Sequence, residues 1–282
     1  MPLAVKNITY TYMEGTPFAT TALNDVSVSI ENGEFVGIIG HTGCGKSTLI
    51  QIMAGLLAPQ SGQVLVNGND IFAEDYDKKL LRSTVGVVFQ YPEYQLFEET
   101  VAQDVAFGPT KAGYDEQKIK QSVSWALEMV GLEEEKIAES SPFELSGGQK
   151  RKVAIAGVLA TRPEILILDE PIAGLDPRGR EEFMQFVAKL NRQGVTILMI
   201  SHNMDGLCEY ASRVLVMDTG CITMDGTPKE IFSKQEELQK IGLGVSEAKE
   251  IACALQKKGV DIPEDIITYR ELMTYLSGRL QK

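Results

Sequence analysis

One stretch decides the fold of this chain: Gly40-His41-Thr42-Gly43-Cys44-Gly45-Lys46-Ser47. It matches the pattern GxxxxGK(S/T), follows an apolar strand at residues 35–39 and precedes a helix at residues 47–54. The glycines let backbone N–H groups face phosphate oxygens, and the N-terminus of the helix adds a favourable dipole. Lys46 can reach the β- and γ-phosphates, and the Ser47 hydroxyl can ligate Mg²⁺. These residues predict a nucleotide phosphate site rather than a glycine-rich turn without a ligand.

Two further motifs follow the phosphate loop along the chain. They are Leu145-Ser146-Gly147-Gly148-Gln149 and Ile165-Leu166-Ile167-Leu168-Asp169-Glu170. Asp169 ends an apolar strand, where a carboxylate can hold Mg²⁺ through water. Glu170 is the candidate general base that orients and deprotonates the attacking water. Alone, an Asp-Glu pair at a strand end is more often a solvated turn, but together with the phosphate loop it indicates nucleotide hydrolysis.

Gln90 and His202 are polar residues that follow predicted strands at residues 85–89 and 195–200. The Gln90 amide can sense Mg²⁺ or the attacking water, and the His202 side chain can reach the γ-phosphate if its strand neighbours the carboxylate strand. A lone histidine is more often a structural hydrogen-bonding residue than a catalyst. Both residues are therefore candidates only as members of the whole set.

The composition excludes several classes of protein. The 282-residue chain has 27 basic and 39 acidic residues, so its net charge of −12 lacks the basic excess of a general nucleic-acid binder. No apolar run approaches the ~20 residues that span a bilayer, and the N-terminus lacks the layout of a signal peptide. Its cysteines form no CxxC pair, which favours reduced thiols in a cytosolic protein. Any membrane role must then come through a partner protein.

The order of predicted elements indicates an α/β fold. Strands that alternate with helices predict a mainly parallel sheet covered on both faces. Residues 3–38 read as short strands, and residues from about 95 to 160 form a helical block inserted into the sheet domain. Thr268-Tyr269-Arg270-Glu271 fits a capping box in the helical tail. We therefore predict a nucleotide-binding domain at residues 1–227 and a C-terminal helical extension at residues 228–282.

Together these motifs resemble those of ABC-type ATPases. The resemblance is carried by the phosphate loop, Gln90, LSGGQ at 145–149, the strand ending in Asp169-Glu170, Ala173-Gly174-Leu175-Asp176 and His202, in the family's order over about residues 1–227. It implies a P-loop fold of ABC type, with a mainly parallel sheet core, an antiparallel β subdomain and an inserted helical subdomain. It also implies ATP and Mg²⁺ as ligands, with residues 40–48, Thr48 included, around the phosphates.

The same resemblance assigns roles to individual residues. It implies catalytic roles for Glu170, His202, Gln90 and Lys46, and metal-binding roles for Ser47, Gln90 and, through water, Asp169. It implies that Tyr12 stacks on adenine, with Tyr10 and Phe18 as competing candidates. It also implies that Ser146, Gly147, Gly148 and Gln149 contact the γ-phosphate held by a second subunit, and that Asp176 belongs to the loop that crosses the interface. Hydrolysis would then require a head-to-tail dimer.

Three stretches are similar to the energising ATPases of energy-coupling factor (ECF) importers. They are VFQYPEYQLF at 88–97, AFGP at 106–109 and QKRKVAIAG at 149–157. The insertion at residues 14–18 resembles the second of the two paired ATPases, so we expect a paralogous ATPase as partner, with an identical chain as the alternative. Cys44 and Ile172 depart mildly from the family pattern, and neither position donates a required ligand.

The ECF resemblance implies peripheral attachment to the cytoplasmic face of the cell membrane. The partners would be an integral membrane coupling subunit and a membrane subunit that selects vitamins, other micronutrients or transition-metal ions. The residues Tyr91, Pro92, Tyr94, Leu96 and Phe97 either line a groove for coupling helices or are core residues or part of a capped loop. The C-terminal helices either add dimer contacts or form a packing cap. Competing interpretations are the ATPase of another ABC importer and a soluble ABC module that remodels a non-membrane partner.

Overall fold

The computed structural model describes residues 2–280. Its strands are β1 (Leu3–Tyr12), β2 (Thr20–Ile30), β3 (Phe35–Gly40), β4 (Ser61–Val66), β5 (Asn69–Asp70), β6 (Val85–Val88), β7 (Ile165–Asp169), β8 (Thr196–Ile200), β9 (Arg213–Asp218) and β10 (Cys221–Gly226). Its helices are α1 (Lys46–Met53), α2 (Lys78–Thr84), α3 (Val101–Lys111), α4 (Glu116–Met129), α5 (Glu134–Ile137), α6 (Gly147–Leu159), α7 (Pro177–Arg192), α8 (Met204–Tyr210), α9 (Pro228–Phe232), α10 (Gln235–Lys240), α11 (Glu247–Lys257) and α12 (Tyr269–Leu280). Short 3₁₀ helices lie at Pro92–Gln95 and Pro142–Glu144.

The strands form two sheets. The larger has the order β10-β9-β3-β8-β7-β6; its pairs are parallel except for β9 with β10. The smaller is antiparallel, with the order β2-β1-β4-β5. The predicted combination of a mainly parallel sheet with an antiparallel sheet is confirmed.

The prediction of short strands over residues 3–38 is wrong in one respect. Strands β1 and β2 are 10 and 11 residues long, because register shifts let their pairing continue where the polar alternation breaks. Asn7 and Asp25 both have positive φ, and the Asn7 amide donates a 2.8 Å hydrogen bond to the Asp25 carboxylate. Because of these irregularities, the alternation of apolar and polar residues does not by itself reveal the two continuous strands.

The larger sheet places the candidate residues at one edge. Strands β3 and β8 are buried along their whole length, and β7 is buried up to its last residue, as expected when helices cover both faces of a parallel sheet. The carboxyl ends of β3, β6, β7 and β8 meet at this edge, where ligands bind in open α/β sheets. The loops that carry Lys46, Gln90, Glu170 and His202 therefore gather there.

Helices α3 to α6 lie between β6 and β7 in the chain. Capping boxes begin α3 at Thr100 and α6 at Ser146, and such an N-cap contributes about 1 kcal/mol. The buried side chains Val105, Val123 and Val153 from three of these helices join the main hydrophobic core. No helix within residues 2–280 is long and apolar enough to cross a membrane.

The C-terminal helices divide between two cores. Ile231, Phe232 and Leu238 of α9 and α10 are buried in the main core. Helices α11 and α12 instead share a small cluster of their own, made of Ala248, Ala252, Ile262, Ile266 and Leu272. The predicted division of the chain at residues 227 and 228 therefore stays a prediction, since burial does not change at that point.

Candidate active site

Lys46 is held inside the phosphate loop by the carbonyl groups of the loop itself. Its Nζ atom donates to Gly40 O at 2.7 Å and to His41 O at 2.9 Å, and the residue is 7% exposed. The third ammonium donor has only the Cys44 sulfur at 3.7 Å, a weak acceptor that a phosphate oxygen can replace. Gly45 has φ of 104°, and a Cβ there would come 2.3 Å from Ala22 O. The loop is thus packed into a fixed shape around its lysine.

Ser47 and Asp169 come together at the end of β7. The Ser47 side chain is hydrogen-bonded to the Asp169 carboxylate. Burial raises the pKa of Asp169 above its ordinary value, while this hydrogen bond and the Lys46 charge oppose the shift. The serine hydroxyl, the aspartate and the Gln90 amide line one cavity, and they are the oxygen donors that Mg²⁺ prefers.

These donors suit a cation that arrives with its substrate. Within the described part of the chain, no group of three or more His, Cys, Asp and Glu side chains could hold a metal ion. Mg²⁺ usually takes one or two protein ligands and completes its shell with water and substrate phosphates. The residues present therefore fit Mg²⁺ bound together with a nucleotide, and they do not form a metal cage.

Glu170 occupies a strained and partly desolvated position. Its φ of 47° lies in the left-handed region, which costs of order 1–3 kcal/mol for a residue other than glycine. Backbone hydrogen bonds from Glu170 N to Ile200 O and from Ala173 N to Glu170 O, both 3.1 Å, hold this conformation. Burial raises the pKa of Glu170, and the nearby His202 opposes that shift. A carboxylate with a raised pKa is a better proton acceptor near neutral pH.

The Glu170 carboxylate faces His202 across the ends of β7 and β8. The backbone N–H of His202 donates to Oε2 at 3.4 Å, and the Nε2 atom of its ring lies 3.2 Å from Oε1. The ring contact lacks hydrogen-bond geometry, so Oε1 is buried without a hydrogen-bond partner among residues 2–280. A buried oxygen of this kind can accept a proton or a hydrogen bond from a bound water.

These residues line one cavity of about 530 Å³. Of the predicted site residues, it brings together Thr42, Gly43, Lys46, Ser47, Gln90, Asp169, Glu170 and His202. It also contains Arg180 and Asn203, which the sequence analysis did not select. Arg180 lies one helical turn after Asp176, and its Nε donates to Leu175 O at 2.9 Å. Only that short spacing from Asp176 points to it in the sequence.

The LSGGQ residues and Asp176 lie apart from this cavity. None of residues 145–149 and 176 is among the described residues that line it. Ser146 caps α6, with its Oγ accepting from Gln149 N at 3.4 Å, and Asp176 caps α7 by accepting from Gly179 N at 2.7 Å. Gly147 and Gly148 form the first turn of α6, with nothing within 4 Å of a Cβ added at either position. One chain therefore presents two separate surfaces, each with part of the predicted machinery.

Several predicted ligand residues take supporting positions beside the loop. Cys44 is buried, and Gly40 could not carry a side chain because its Cβ would meet the Cys44 sulfur at 2.5 Å. The His41 ring bridges Thr42 O and the Asp218 carboxylate, each at 2.9 Å. Cys44 and His41 thus offer only their backbones to a phosphate.

Tyr12 contacts the first turn of α1, the helix that follows the phosphate loop. Its hydroxyl is 3.2 Å from the Thr48 hydroxyl, and its ring packs edge-on against Tyr10 with centroids 4.9 Å apart. Tyr10 packs against the hydrophobic core, and Phe18 is 77% exposed. Tyr12 combines an exposed ring with contact to the helix that follows the phosphate loop.

The aromatic segment after Gln90 is split between core and surface. Pro92 and Leu96 are buried, so for these two residues the structure favours the core alternative over the groove wall. Tyr91, Tyr94 and Phe97 remain exposed, with Tyr94 at 84%. Phe97 packs edge-on against the exposed Phe107 of α3, with ring centroids 4.9 Å apart. Phe107 lies in the stretch AFGP at 106–109, and nothing in that stretch indicates that its ring faces solvent.

Comparisons with known proteins give consistent results. Residues 23–173 match the family model described as ABC transporter. An energy-coupling factor transporter ATP-binding protein EcfA2 of Caldanaerobacter subterraneus subsp. tengcongensis is 50% identical over 283 residues, covering 99% of both chains. The protein of the same name from Lactobacillus johnsonii is 48% identical, covering 100% of this chain and 98% of its own.

Two solved structures are also similar. CbiO1 from Clostridium perfringens, described as part of the ABC transporter complex cbiONQ, has a TM-score of 0.74 and 38% identity, with 90% of this chain and 98% of that chain covered. The ATP-binding cassette MJ0796, solved as a dimer in a post-hydrolysis state bound to ADP and Pi, has a TM-score of 0.70 and 31% identity. That match covers 80% of this chain and 98% of MJ0796.

Proposed function

We propose, because this chain belongs to the ABC transporter family and to its energy-coupling factor ATP-binding subunits, that it binds and hydrolyses ATP to energise a membrane importer. The observation that carries the proposal is the cavity in which Lys46, Ser47 and Asp169 lie beside Glu170, whose Oε1 atom is buried without a hydrogen-bond partner among the described residues. A phosphate loop provides binding, and a free buried carboxylate oxygen provides the acceptor for a water proton.

The predicted site residues divide the parts of this reaction between them. Lys46 and the loop N–H groups bind the β- and γ-phosphates, while Ser47, Gln90 and, through water, Asp169 would hold Mg²⁺. Bound Mg²⁺ neutralises charge on the phosphate oxygens. Glu170 accepts the proton of the attacking water, and His202 orients Glu170 and reaches toward the γ-phosphate. Tyr12 supplies an exposed ring for adenine.

The reaction requires a second ATPase subunit. Residues 145–149 lie outside the cavity of their own chain, so in a head-to-tail dimer they complete the site of the other subunit. The N-terminus of α6 presents backbone N–H groups that suit a γ-phosphate. We propose a paralogue as the partner, following the resemblance of residues 14–18 to the second of two paired ATPases. The dimer of MJ0796 with ADP and Pi supports this arrangement.

Exposed aromatic side chains provide the contact with the membrane subunit. The aromatic surface comprises two ring pairs, Tyr91 with Tyr94 and Phe97 with Phe107, and would receive coupling helices of an integral membrane subunit on the cytoplasmic face of the cell membrane. A separate membrane subunit would select the vitamin, other micronutrient or metal ion. ATP closes the ATPase dimer, hydrolysis reopens it, and the aromatic surface passes the movement to the membrane subunit.

Co-purification of the full chain from its own membranes tests this function. Solubilisation in mild detergent should recover it with a second ATPase and at least one integral membrane protein, and the complex should release phosphate from ATP. Recovery of the chain alone in the soluble fraction, with hydrolysis intact, would support a soluble module that remodels another partner. Absence of nucleotide binding would contradict both functions.

A further inference from the structure

Arg151 lies at a buried junction between three segments of the chain. Its Nε and Nη2 atoms donate to the two carboxylate oxygens of Glu93, each at 3.0 Å. Its Nη1 and Nη2 atoms both donate to Ala173 O at 3.1 Å. The Arg151 side chain is 7% exposed and that of Glu93 is 19% exposed. A planar guanidinium can make such a two-pronged pair and a carbonyl contact together, whereas a lysine ammonium cannot.

Each of the three segments also carries a part of the proposed ATPase. Glu93 belongs to the 3₁₀ helix Pro92–Gln95, directly between Gln90 of the cavity and the exposed ring of Phe97. Arg151 lies on α6, less than two turns after its cap Ser146. Ala173 donates its N–H to Glu170 O at 3.1 Å and precedes Asp176 in the turn toward α7.

We infer that Arg151 is a positioning residue that couples the aromatic surface and Gln90 to the LSGGQ helix and to the turn after Glu170. The inference rests on the proposed function. When nucleotide binding shifts Gln90, Glu93 moves with it because both belong to the same short segment. The guanidinium of Arg151, which is bonded to Glu93, then carries that displacement to α6. The carbonyl of Ala173 fixes the third point, so the general base and the LSGGQ surface are set relative to each other.

A second arginine in the chain offers a matched control. Arg213 also pairs in two-pronged fashion, with Nε and Nη2 each 2.6 Å from an oxygen of Asp225, and its Nη1 donates to Ser29 O at 2.9 Å. This junction has the same two-pronged pair but joins β9, β10 and β2, is more exposed (25% for Arg213 and 40% for Asp225), and includes Glu34 at 3.5 Å from Arg213 Nη1. Neither Arg213 nor Asp225 is among the described residues that line the nucleotide cavity. Its loss should affect stability without affecting communication.

Hydrogen exchange of the full chain, with and without Mg²⁺ and a non-hydrolysable ATP analogue, tests the coupling. In the wild type, the analogue should slow exchange of peptides from residues 91–97 and 147–159 together.

In Glu93→Gln, one carboxylate acceptor is replaced by an amide donor, so protection at 91–97 should persist while the nucleotide-dependent change at 147–159 falls at least threefold. Arg151→Lys should show the same separation, and Asp225→Asn should retain both changes whatever its effect on Tm.

Two results would overturn the inference. One is a Glu93→Gln or Arg151→Lys variant whose two peptides still respond together, as in Asp225→Asn. The other is a wild type that binds the analogue yet shows no response at 147–159. Analogue binding is measured separately by fluorescence, and a wild type that does not bind would overturn the proposed function itself. A failure of coupling is therefore distinguishable from a failure of ATP binding.

Discussion

The Nε2 atom of His202 lies 3.2 Å from the Oε1 atom of Glu170, and the His202 backbone N–H lies 3.4 Å from Oε2. His202 directly follows the loop residue after β8, so both carboxylate oxygens face the end of that strand, while the backbone N–H of Glu170 donates to Ile200 O of β8 itself. Oε1 is buried without a hydrogen-bond partner among the described residues. This arrangement gives the proposed general base a defined direction.

Glu170→Gln should reduce ATP turnover about 100-fold or more, since general-base catalysis contributes roughly 10²–10⁴-fold. The amide keeps the shape and the hydrogen bonds of the side chain but cannot accept the water proton. ATP binding should stay within about threefold of wild type. Phosphate release and nucleotide binding are measured side by side. The control is Glu116→Gln, at an exposed carboxylate 3.3 Å from Lys120, which should leave both turnover and ATP binding unchanged. Near-normal turnover in Glu170→Gln would remove Glu170 from this role.

Lys46→Ala should weaken ATP binding itself by roughly 10- to 150-fold, because a hydrogen bond to a charged group contributes about 1.5–3 kcal/mol. The substitution also removes the donor to Gly40 O and His41 O, so the loop loses part of its internal support. Titration with a fluorescent ATP analogue gives the Kd. Lys120→Ala, at an exposed helical position, provides the comparison, and equal affinities in the two variants would contradict the assignment.

Tyr94→Ser combined with Phe97→Ser should abolish recovery of the chain with its membrane partner while leaving ATP binding and Tm close to wild type. Both rings are exposed, so their removal costs little folding free energy, whereas aromatic side chains dominate the cores of protein interfaces. The measurement is co-purification in mild detergent. Met273→Ser removes an apolar side chain of α12 that is about as exposed as Phe97 and should retain the partner. Retention by both variants would place the membrane contact elsewhere.

Cys208 should resist alkylation at pH 8. Burial raises the pKa of its thiol to about 12, so only roughly one molecule in ten thousand carries the reactive thiolate at that pH. Cys221 and Cys253 are partly exposed and should be modified within minutes by iodoacetamide. Mass spectrometry of the native and the denatured chain separates these cases. Rapid native modification of Cys208 would show that α8 opens locally.

The stability of the C-terminal helices should depend on pH through Glu271. Burial alone would raise the pKa of Glu271, but hydrogen bonds from Ile267 N, the Lys229 ammonium and Thr268 together lower it. A lowered pKa in the folded state means that the charged carboxylate contributes stability above the ordinary glutamate value, and that this contribution is lost as pH falls through the folded-state pKa.

Glu271→Gln should therefore lower the Tm of unfolding at pH 7, and the difference from wild type should shrink toward pH 3. Thermal unfolding across this range provides the measurement. Glu264→Gln, whose exposed side chain lies in the same region, should change little at any pH. A Tm difference for Glu271→Gln that stays constant from pH 7 to pH 3 would contradict the sign of the shift.

The parts of the site that could be predicted are those set by local pattern and parallel topology. Lys46 follows from its loop, and Asp169 and His202 follow from their places at the ends of neighbouring strands. The junction of Arg151 with Glu93 could not be predicted, because 58 residues separate the pair and nothing in the stretches 88–97 and 149–157 indicates that these two side chains meet. The contact of His41 with Asp218 spans 177 residues and depends on how β9 packs beside β3. Exposure also escaped prediction: Pro92 and Leu96 are as apolar as Phe97, but only packing decides which faces solvent.

Helices α9 and α10 contribute Phe232 and Leu238 to the main core, whereas α11 and α12 enclose a separate small cluster. A stop codon placed at residue 228 would expose the apolar surface of the main core that α9 and α10 cover, and the shortened protein would then tend to aggregate. A stop codon just before α11 would remove the small cluster and, of the described main core, Ile267, together with the partners of Lys229 and Glu209. The chain should therefore tolerate truncation or fusion only beyond about residue 245, although the predicted domain boundary lies at residue 228.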